Sequence, residues 1–364
     1  MGDESWKDHP PYMDDSVFDL LCSRLVELLN ETEVQHLHIA FHGGEPMMAG
    51  ADRLERFVAN ARRHLFERVQ QLSFSIQTNG TIFSEQWFRF FEQSGISIVV
   101  SIDGPAAYHD FHRKTKQGKP THSFVETFLM RCGASASEGK MLPPGTITVL
   151  NADRDLASII LYLQRTFKLK SMAFLLPDDA VNDATFSSST AERYGQLLVQ
   201  LYEAMTLDPK IRSGEVSKFL WRAKGEKLAG EIETGEELQD TIPYVGVTIH
   251  SSGVLKVNEE LIATGGWRKD FPAIDLMVEP ISAFLNHHRT KALIAALNGI
   301  PSKCTDCCWA KACRGGSLHE RRNPGNGFNE RSVFCASYKK LYQHMYEDLV
   351  SSGFPEELLI SRLS

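Results

Sequence analysis

The first 180 residues repeat one rhythm: apolar side chains at helical spacing, then a short apolar run that stops at polar or glycine residues. Apolar positions three and four apart share one helix face, whereas a short apolar run bounded by turn formers reads as a buried strand. Val17, Leu20, Leu21, Leu25 and Leu28 predict a helix over 14–29, and residues 36–41 predict a strand closing on His42-Gly43-Gly44-Glu45-Pro46. A helix over 51–69 precedes a strand over 72–77 that ends in Thr78-Asn79-Gly80. A helix over 84–93 precedes a strand over 96–101 that ends in Ile102-Asp103-Gly104-Pro105. Helix 121–132, strand 146–150, helix 156–167 and strand 171–176 continue the pattern. Five strands are expected, each with its polar or glycine signal at the carboxyl end, where parallel sheets and βα barrels place ligand sites.

Strands joined through helices need right-handed crossovers and a covered outer face. A full or partial βα barrel of the TIM type is therefore the economical α/β architecture, with a flat doubly wound sheet as the alternative. Beyond residue 188 the rhythm changes. A long helix is expected over 191–205, a charged, solvated helical segment over 210–240, and a helix over 291–298. Between them, strands 244–250 and 254–258 flank Ser251-Ser252-Gly253 as a β-hairpin. The chain divides on this reading into a barrel unit at 1–188, a helical linker at 189–242 and a carboxy-terminal unit at 243–364.

Composition narrows the function classes. Hydrophobic residues make up 42% and charged residues 23% of the 364, which excludes collagen-like and mostly disordered chains. The net charge of −7 lacks the basic excess that grips phosphate backbones, so nucleic acid is not an expected partner. No apolar stretch is long enough to span a membrane, and Met1-Gly2-Asp3-Glu4-Ser5-Trp6-Lys7-Asp8 is polar and acidic where a signal peptide is basic and then apolar. A cytoplasmic protein without a membrane partner is the expectation.

Seven cysteines are distributed unevenly: Cys22 and Cys132 stand alone, whereas Cys304, Cys307, Cys308, Cys313 and Cys335 crowd one stretch. An odd total and this clustering argue for metal or redox chemistry over a disulfide framework. In Cys304-x2-Cys307-x5-Cys313-x21-Cys335 the short first spacing lets one turn of chain present two soft thiolates to one centre, either an iron–sulfur cluster or a structural zinc knot. Adjacent residues seldom point at one metal, so Cys308 reads as a spare thiol.

The strand ends carry further candidates. Paired Gly43 and Gly44 let backbone approach a ligand, and the Glu45 carboxylate beside them can hold an ammonium group, although a tight βα turn explains the same residues. Asn79 and Asp103 serve equally as turn formers or as members of a polar barrel mouth with Ser101. In His109-Asp110-x2-Arg113 the arginine is either a solvated charge or a clamp for a carboxylate.

The run His38-Ile39-Ala40-Phe41-His42-Gly43-Gly44-Glu45-Pro46, then Gln77-Thr78-Asn79-Gly80, then Val100-Ser101-Ile102-Asp103-Gly104-Pro105 with His109-Asp110 and Arg113, resembles the radical S-adenosylmethionine (radical SAM) enzymes of the sulfatase-maturase and peptide-maturase branch. The stretch Cys304-x2-Cys307-x5-Cys313-Arg314-Gly315-Gly316, with Asn326-Gly327-Phe328-Asn329 and Ser332-Val333-Phe334-Cys335, is similar to their SPASM or twitch auxiliary-cluster region, with likeness to maturases that cross-link ribosomal peptides. The resemblance spans nearly the whole chain.

It implies a partial (βα)6 barrel, and cleavage of S-adenosylmethionine to a 5′-deoxyadenosyl radical that abstracts hydrogen from a side chain of a peptide or protein substrate. It also implies a reductant such as ferredoxin or flavodoxin. Gly43, Gly44 and Glu45 would meet the methionine amino group, Ser101 and Asp103 the ribose, and Arg113 the carboxylate, with Asn79 beside them. Cys304, Cys307, Cys313 and Cys335 would hold an auxiliary [4Fe–4S] cluster. Enzymes of this family hold the catalytic [4Fe–4S] cluster with Cys-x3-Cys-x2-Cys after the first barrel strand, and the 364 residues contain no such motif. The chain starts where that loop would end, so the first strand is expected to be absent, five of six remaining. S-adenosylmethionine and a second cluster are expected only with the missing segment, and the chain is expected to be inactive without it. The alternative is a degenerate, non-catalytic subunit that binds a peptide or partner and keeps the auxiliary cluster.

Overall fold

A computed structural model describes residues 9–181, 185–224, 246–257, 261, 272–321 and 328–363. The expected alternation is present from α1 (Asp15–Glu31) and β1 (His36–Phe41) through α2 (Ala51–Leu65), β2 (Gln71–Thr78), α3 (Glu85–Ser94) and β3 (Ser97–Ser101). It continues with α4 (Ala106–His112), α5 (His122–Ser137), β4 (Gly145–Val149), α6 (Leu156–Thr166) and β5 (Ser171–Leu175), then α7 (Ser188–Leu207), β6 (Ile211–Arg212) and α8 (Gly214–Lys224). The strands form one six-stranded sheet in sequential order, each neighbouring pair parallel.

Sequential parallel order puts every crossover helix on the same face, so all the carboxyl ends open at one rim. Burial follows. Ile76, Val100 and Phe174 from the strands, and Leu65, Phe128 and Leu163 from the helices, are fully enclosed. Gly104 (φ 102°) turns the chain after β3, where an added Cβ would sit 2.9 Å from Cγ1 of Ile159 on α6.

Six strands stand where the periodicity counts five. Ile211–Arg212 is only two residues long, too short to show a period, and pairs with Met172 and Ala173 of β5. The first part of the segment expected to be charged and solvated, 210–224, is therefore part of the fold: α8 buries Val216, Phe219, Leu220 and Ala223. Charge along 210–224 hid an amphipathic face. Residues 225–245, which hold the expected boundary at 242/243, lie outside the described residues, as do 1–8, residues 244, 245 and 258 of the hairpin, and Asn326-Gly327.

The hairpin is present as β7 (Val247–Ile249) and β8 (Val254–Val257), extended antiparallel by β9 (Ile274–Asp275). Helices α9 (Ile281–Asn286), α10 (His288–Asn298), α11 (Ala310–Cys313), α12 (Cys335–Ser351) and α13 (Glu356–Leu363) complete the described chain. Helix α12 lies along α7. Close approach is allowed by Gly195, where a Cβ would sit 3.1 Å from Cα of Ser337, and the contact is tied by Ser337 Oγ donating to the Ala191 carbonyl. Near the amino terminus the His9 and His250 rings stack with centroids 4.1 Å apart, and Arg24 Nε donates to the Leu276 carbonyl at 2.9 Å.

Candidate functional site

At the rim of the parallel sheet, Gly43 (φ 113°) and Gly44 are exposed, and nothing lies within 4 Å of where a Cβ would project from either. The backbone there is open to a ligand. Glu45 is less free than its motif suggests. Oε1 accepts from Met47 N (3.0 Å) and Thr78 Oγ1 (2.8 Å), and Oε2 accepts from Asn79 N (2.8 Å), so the carboxylate pins the end of β1 to the end of β2. A carboxylate offers about four acceptor sites, which leaves room for one further donor. Asn79 is a turn former: its Oδ1 accepts from Thr81 N (2.9 Å) and Thr81 Oγ1 (2.6 Å).

Past β3, Ser101 is buried, and Asp103 and Arg113 are brought together in a two-point ion pair, Nε to Oδ2 at 2.6 Å and Nη2 to Oδ1 at 3.1 Å. The two charges expected at separate parts of one ligand thus face each other. Behind them lies a directional network. Asp103 N donates to His109 Nδ1 (3.4 Å), so a neutral His109 carries its proton on Nε2 and can donate to Thr121 Oγ1 (3.0 Å), which donates to the Arg113 carbonyl (2.8 Å). Burial pushes His109 down to about 4, with Asp103 opposing and Arg113 and His122 adding to the depression. Asp110 anchors the far side through Thr121 N and His122 N, both at 2.9 Å. The motif His109-Asp110-x2-Arg113 thus braces the loop that holds Asp103. Sequence reasoning missed Thr121, whose role becomes visible only once α4 and α5 pack.

The second cluster of chemistry lies in the carboxy-terminal unit. Cys304, Cys307, Cys313 and Cys335 line one cavity with Trp309, Gly315, Arg331, Tyr338 and Tyr342. Cys308 is exposed and outside that lining. Cys313 ends α11, after which Arg314 takes a left-handed φ of 50°, and Cys335 opens α12. Buried Glu320 braces the loop by accepting from Ser332 Oγ (2.7 Å), Tyr338 Oη (2.7 Å) and Ser317 N (3.2 Å). Gly316 is required there, because a Cβ would sit 2.6 Å from Glu320 Oε2.

Four thiols on one cavity are a donor set that suits an iron–sulfur cluster or a zinc ion. A zinc site sets four sulfurs roughly 3.8 Å apart, from 2.3 Å bonds in a tetrahedron. Among the described residues no three His, Cys, Asp or Glu side chains converge in that way. In the thiol form burial pushes Cys313 up to about 12 and raises Cys304, so a bound cationic centre is what would hold them as thiolates. Cys22 and Cys132 are fully buried and pushed to about 12 by the same cause, as inert core residues are.

No protein-family model matches the chain. The chain is 24% identical over 335 residues to a cysteine-type anaerobic sulfatase-maturating enzyme of Clostridium perfringens (strain 13), covering 92% of this chain and 87% of that one. Its fold is similar to that of native anSMEcpe with bound AdoMet and Kp18Cys peptide, with a TM-score of 0.72 at 20% identity over 93% of this chain and 90% of that one. It is also similar to Streptococcus suis SuiB bound to precursor peptide SuiA, with a TM-score of 0.55 at 13% identity over 86% and 69%. Among the described residues no helix is long and apolar enough to cross a membrane.

Proposed function

Homologues of this chain are anaerobic sulfatase-maturating enzymes, radical SAM proteins of the SPASM type, and from that premise we propose that it is a maturase acting on a side chain of a peptide or protein. The observation that carries the proposal is that Cys304, Cys307, Cys313 and Cys335 all line one cavity, although the last two are 22 positions apart. These four thiols would hold an auxiliary [4Fe–4S] cluster. At the sheet rim the open backbone of Gly43 and Gly44, with Glu45, would receive the amino group of S-adenosylmethionine. Ser101, Asp103 and Arg113 would face its ribose and carboxylate. Together with a reduced catalytic cluster, that cofactor supplies one-electron hydrogen-abstraction chemistry.

The chain's own residues orient and shield. Glu45 already fixes two strand ends, and its remaining acceptor capacity points the proposal to an ammonium group. Arg113 would exchange part of its bond to Asp103 for a ligand carboxylate, which leaves Asp103 an acceptor for ribose hydroxyls. A low-potential carrier such as ferredoxin or flavodoxin would deliver electrons. The bound peptides of the two solved relatives support a peptide substrate.

A second reading has its own observation: the 364 residues contain no Cys-x3-Cys-x2-Cys, so they provide no triple-thiolate site for a catalytic cluster. On that reading the chain is a peptide- or partner-binding subunit that keeps the auxiliary cluster. One experiment separates the two. Anaerobically reconstituted, dithionite-reduced protein is mixed with S-adenosylmethionine, alone and fused to an amino-terminal segment carrying Cys-x3-Cys-x2-Cys. The enzyme reading expects 5′-deoxyadenosine only from the fusion. Silence from a fusion that has loaded both clusters supports the binding subunit, and product from the 364 residues alone overturns the ligand assignment.

A further inference from the structure

Arg321 carries a charge into the interior of the carboxy-terminal unit. It is 2% exposed, and its Nη atoms donate to the carbonyls of Arg314 (2.6 Å), Gly316 (3.0 Å), Phe328 (3.0 Å) and Ala296 (3.4 Å). These dipoles fix its position but do not cancel its charge, and it forms no ion pair with a described carboxylate. Glu320, next in sequence, is a buried carboxylate whose charge favours the guanidinium, but its oxygens accept from Ser317, Ser332 and Tyr338 rather than from Arg321. A buried guanidinium to which no carboxylate is bonded is costly, and arginine does not shed its proton to escape.

The position of that charge identifies the missing partner. The Nη2 bonds of Arg321 to the carbonyls of Arg314 and Gly316 place it against the loop that follows Cys313, which lines the cysteine cavity. Its Nε is buried without an acceptor and lies beside Gly315, another lining residue, where an added Cβ would approach Nε to 3.4 Å. A cluster bound by four thiolates is a buried anion whose negative charge grows by one on reduction. A fixed cation against the cavity wall favours the more negative, reduced form and raises the reduction potential.

We propose that Arg321 is the buried counter-charge of the auxiliary cluster, a positioning residue that raises the potential of an iron–sulfur centre held by the four cysteines. The proposal rests on the reading that the four cysteines hold a [4Fe–4S] cluster. Arg331 is the salt-sensitive comparison: it lines the same cavity, donates to the Lys303 carbonyl at 2.9 Å and its charge also reaches Cys304, but it is exposed, so added salt screens it.

The test begins with the full chain reconstituted anaerobically with iron and sulfide, scored by iron and sulfide content and charge-transfer absorbance. Zinc uptake without iron from the parent chain overturns the cluster reading, and with it this proposal. When the parent loads a cluster, its midpoint potential is compared with those of Arg321→Met, Arg321→Lys and Arg331→Met. Arg321→Met is expected to lower the reduced-to-oxidised ratio at fixed potential by about tenfold, which is 59 mV for a one-electron couple. The change for Arg331→Met should be smaller and should vanish in high salt. A folded Arg321→Met chain that no longer retains iron, while Arg331→Met does, also supports the counter-charge. Equal potentials for the parent and Arg321→Met overturn the proposal, as does an equally large shift in Arg331→Met. Should Arg321→Met fail to fold, Arg321→Lys decides: loading at the parent's potential supports a role for the charge, and loss of the cluster overturns it.

Discussion

His109 is predicted to make the chain acid-sensitive in a window set by its burial. The imidazole is fully enclosed, and burial pushes its pKa from 6.5 down to about 4. In the unfolded chain the ring takes up a proton below about 6.5, whereas in the folded chain it does so only below about 4. Between these values the unfolded state binds more protons, so stability is fully present above pH 6.5 and is lost progressively as pH falls toward 4. A difference of 2.5 units at 1.36 kcal/mol each amounts to about 3 kcal/mol.

The directional network gives the structural reason. Protonated Nδ1 could no longer accept from Asp103 N, and the loop bearing the Asp103–Arg113 pair would lose its brace. Urea denaturation of the parent and of His109→Gln, measured from pH 7.5 to pH 4, isolates the effect, because the other twelve of the 13 histidines are common to both chains. At pH 7.5 the variant should be less stable by about 1–3 kcal/mol, since a buried donor loses its acceptor. The gap should narrow as pH falls and the parent loses stability. Parallel pH profiles for the two chains, or a His109 resonance titrating near 6.5, would refute the reasoning.

Other positions give sharper binary outcomes. Cys304→Ala or Cys313→Ala should abolish charge-transfer absorbance after iron and sulfide reconstitution, whereas Cys308→Ala should leave iron content unchanged, its thiol being exposed and outside the cavity. Glu45→Ala leaves Met47 N, Thr78 Oγ1 and Asn79 N without their acceptor and should cost about 2–4 kcal/mol in denaturant unfolding. Glu45→Gln keeps one carbonyl acceptor and should cost less, so equal losses would argue against this bonding pattern. Gly104→Ala meets both a left-handed φ of 102° and Ile159 at 2.9 Å, so it should destabilise by about 2–4 kcal/mol, and Ile159→Ala in the same chain should recover the steric part but not the backbone part.

The barrel alternation was legible in the sequence because it is local. A helix repeats every 3.6 residues and a buried strand is a short apolar run, so β1 through β5 were expected within one or two residues of their observed bounds. The spacing of the four cysteines and the glycines before Glu45 were legible for the same reason. Partnership across the chain was not. The two-residue β6 has no period to display and exists because β5 offers an unpaired edge. Nothing in its spacing singles out Arg321. Only the packing of the loops around the cysteines encloses it and presents carbonyls from Ala296, Arg314, Gly316 and Phe328. Asp103 and Arg113 were each identified as site residues, but their union and the histidine behind it depend on α4 and α5 folding over the end of β3. Residue type and spacing specify which chemistry is available, whereas burial and long-range hydrogen bonds, which sum over residues distant in sequence, decide which charges meet and which protons stay.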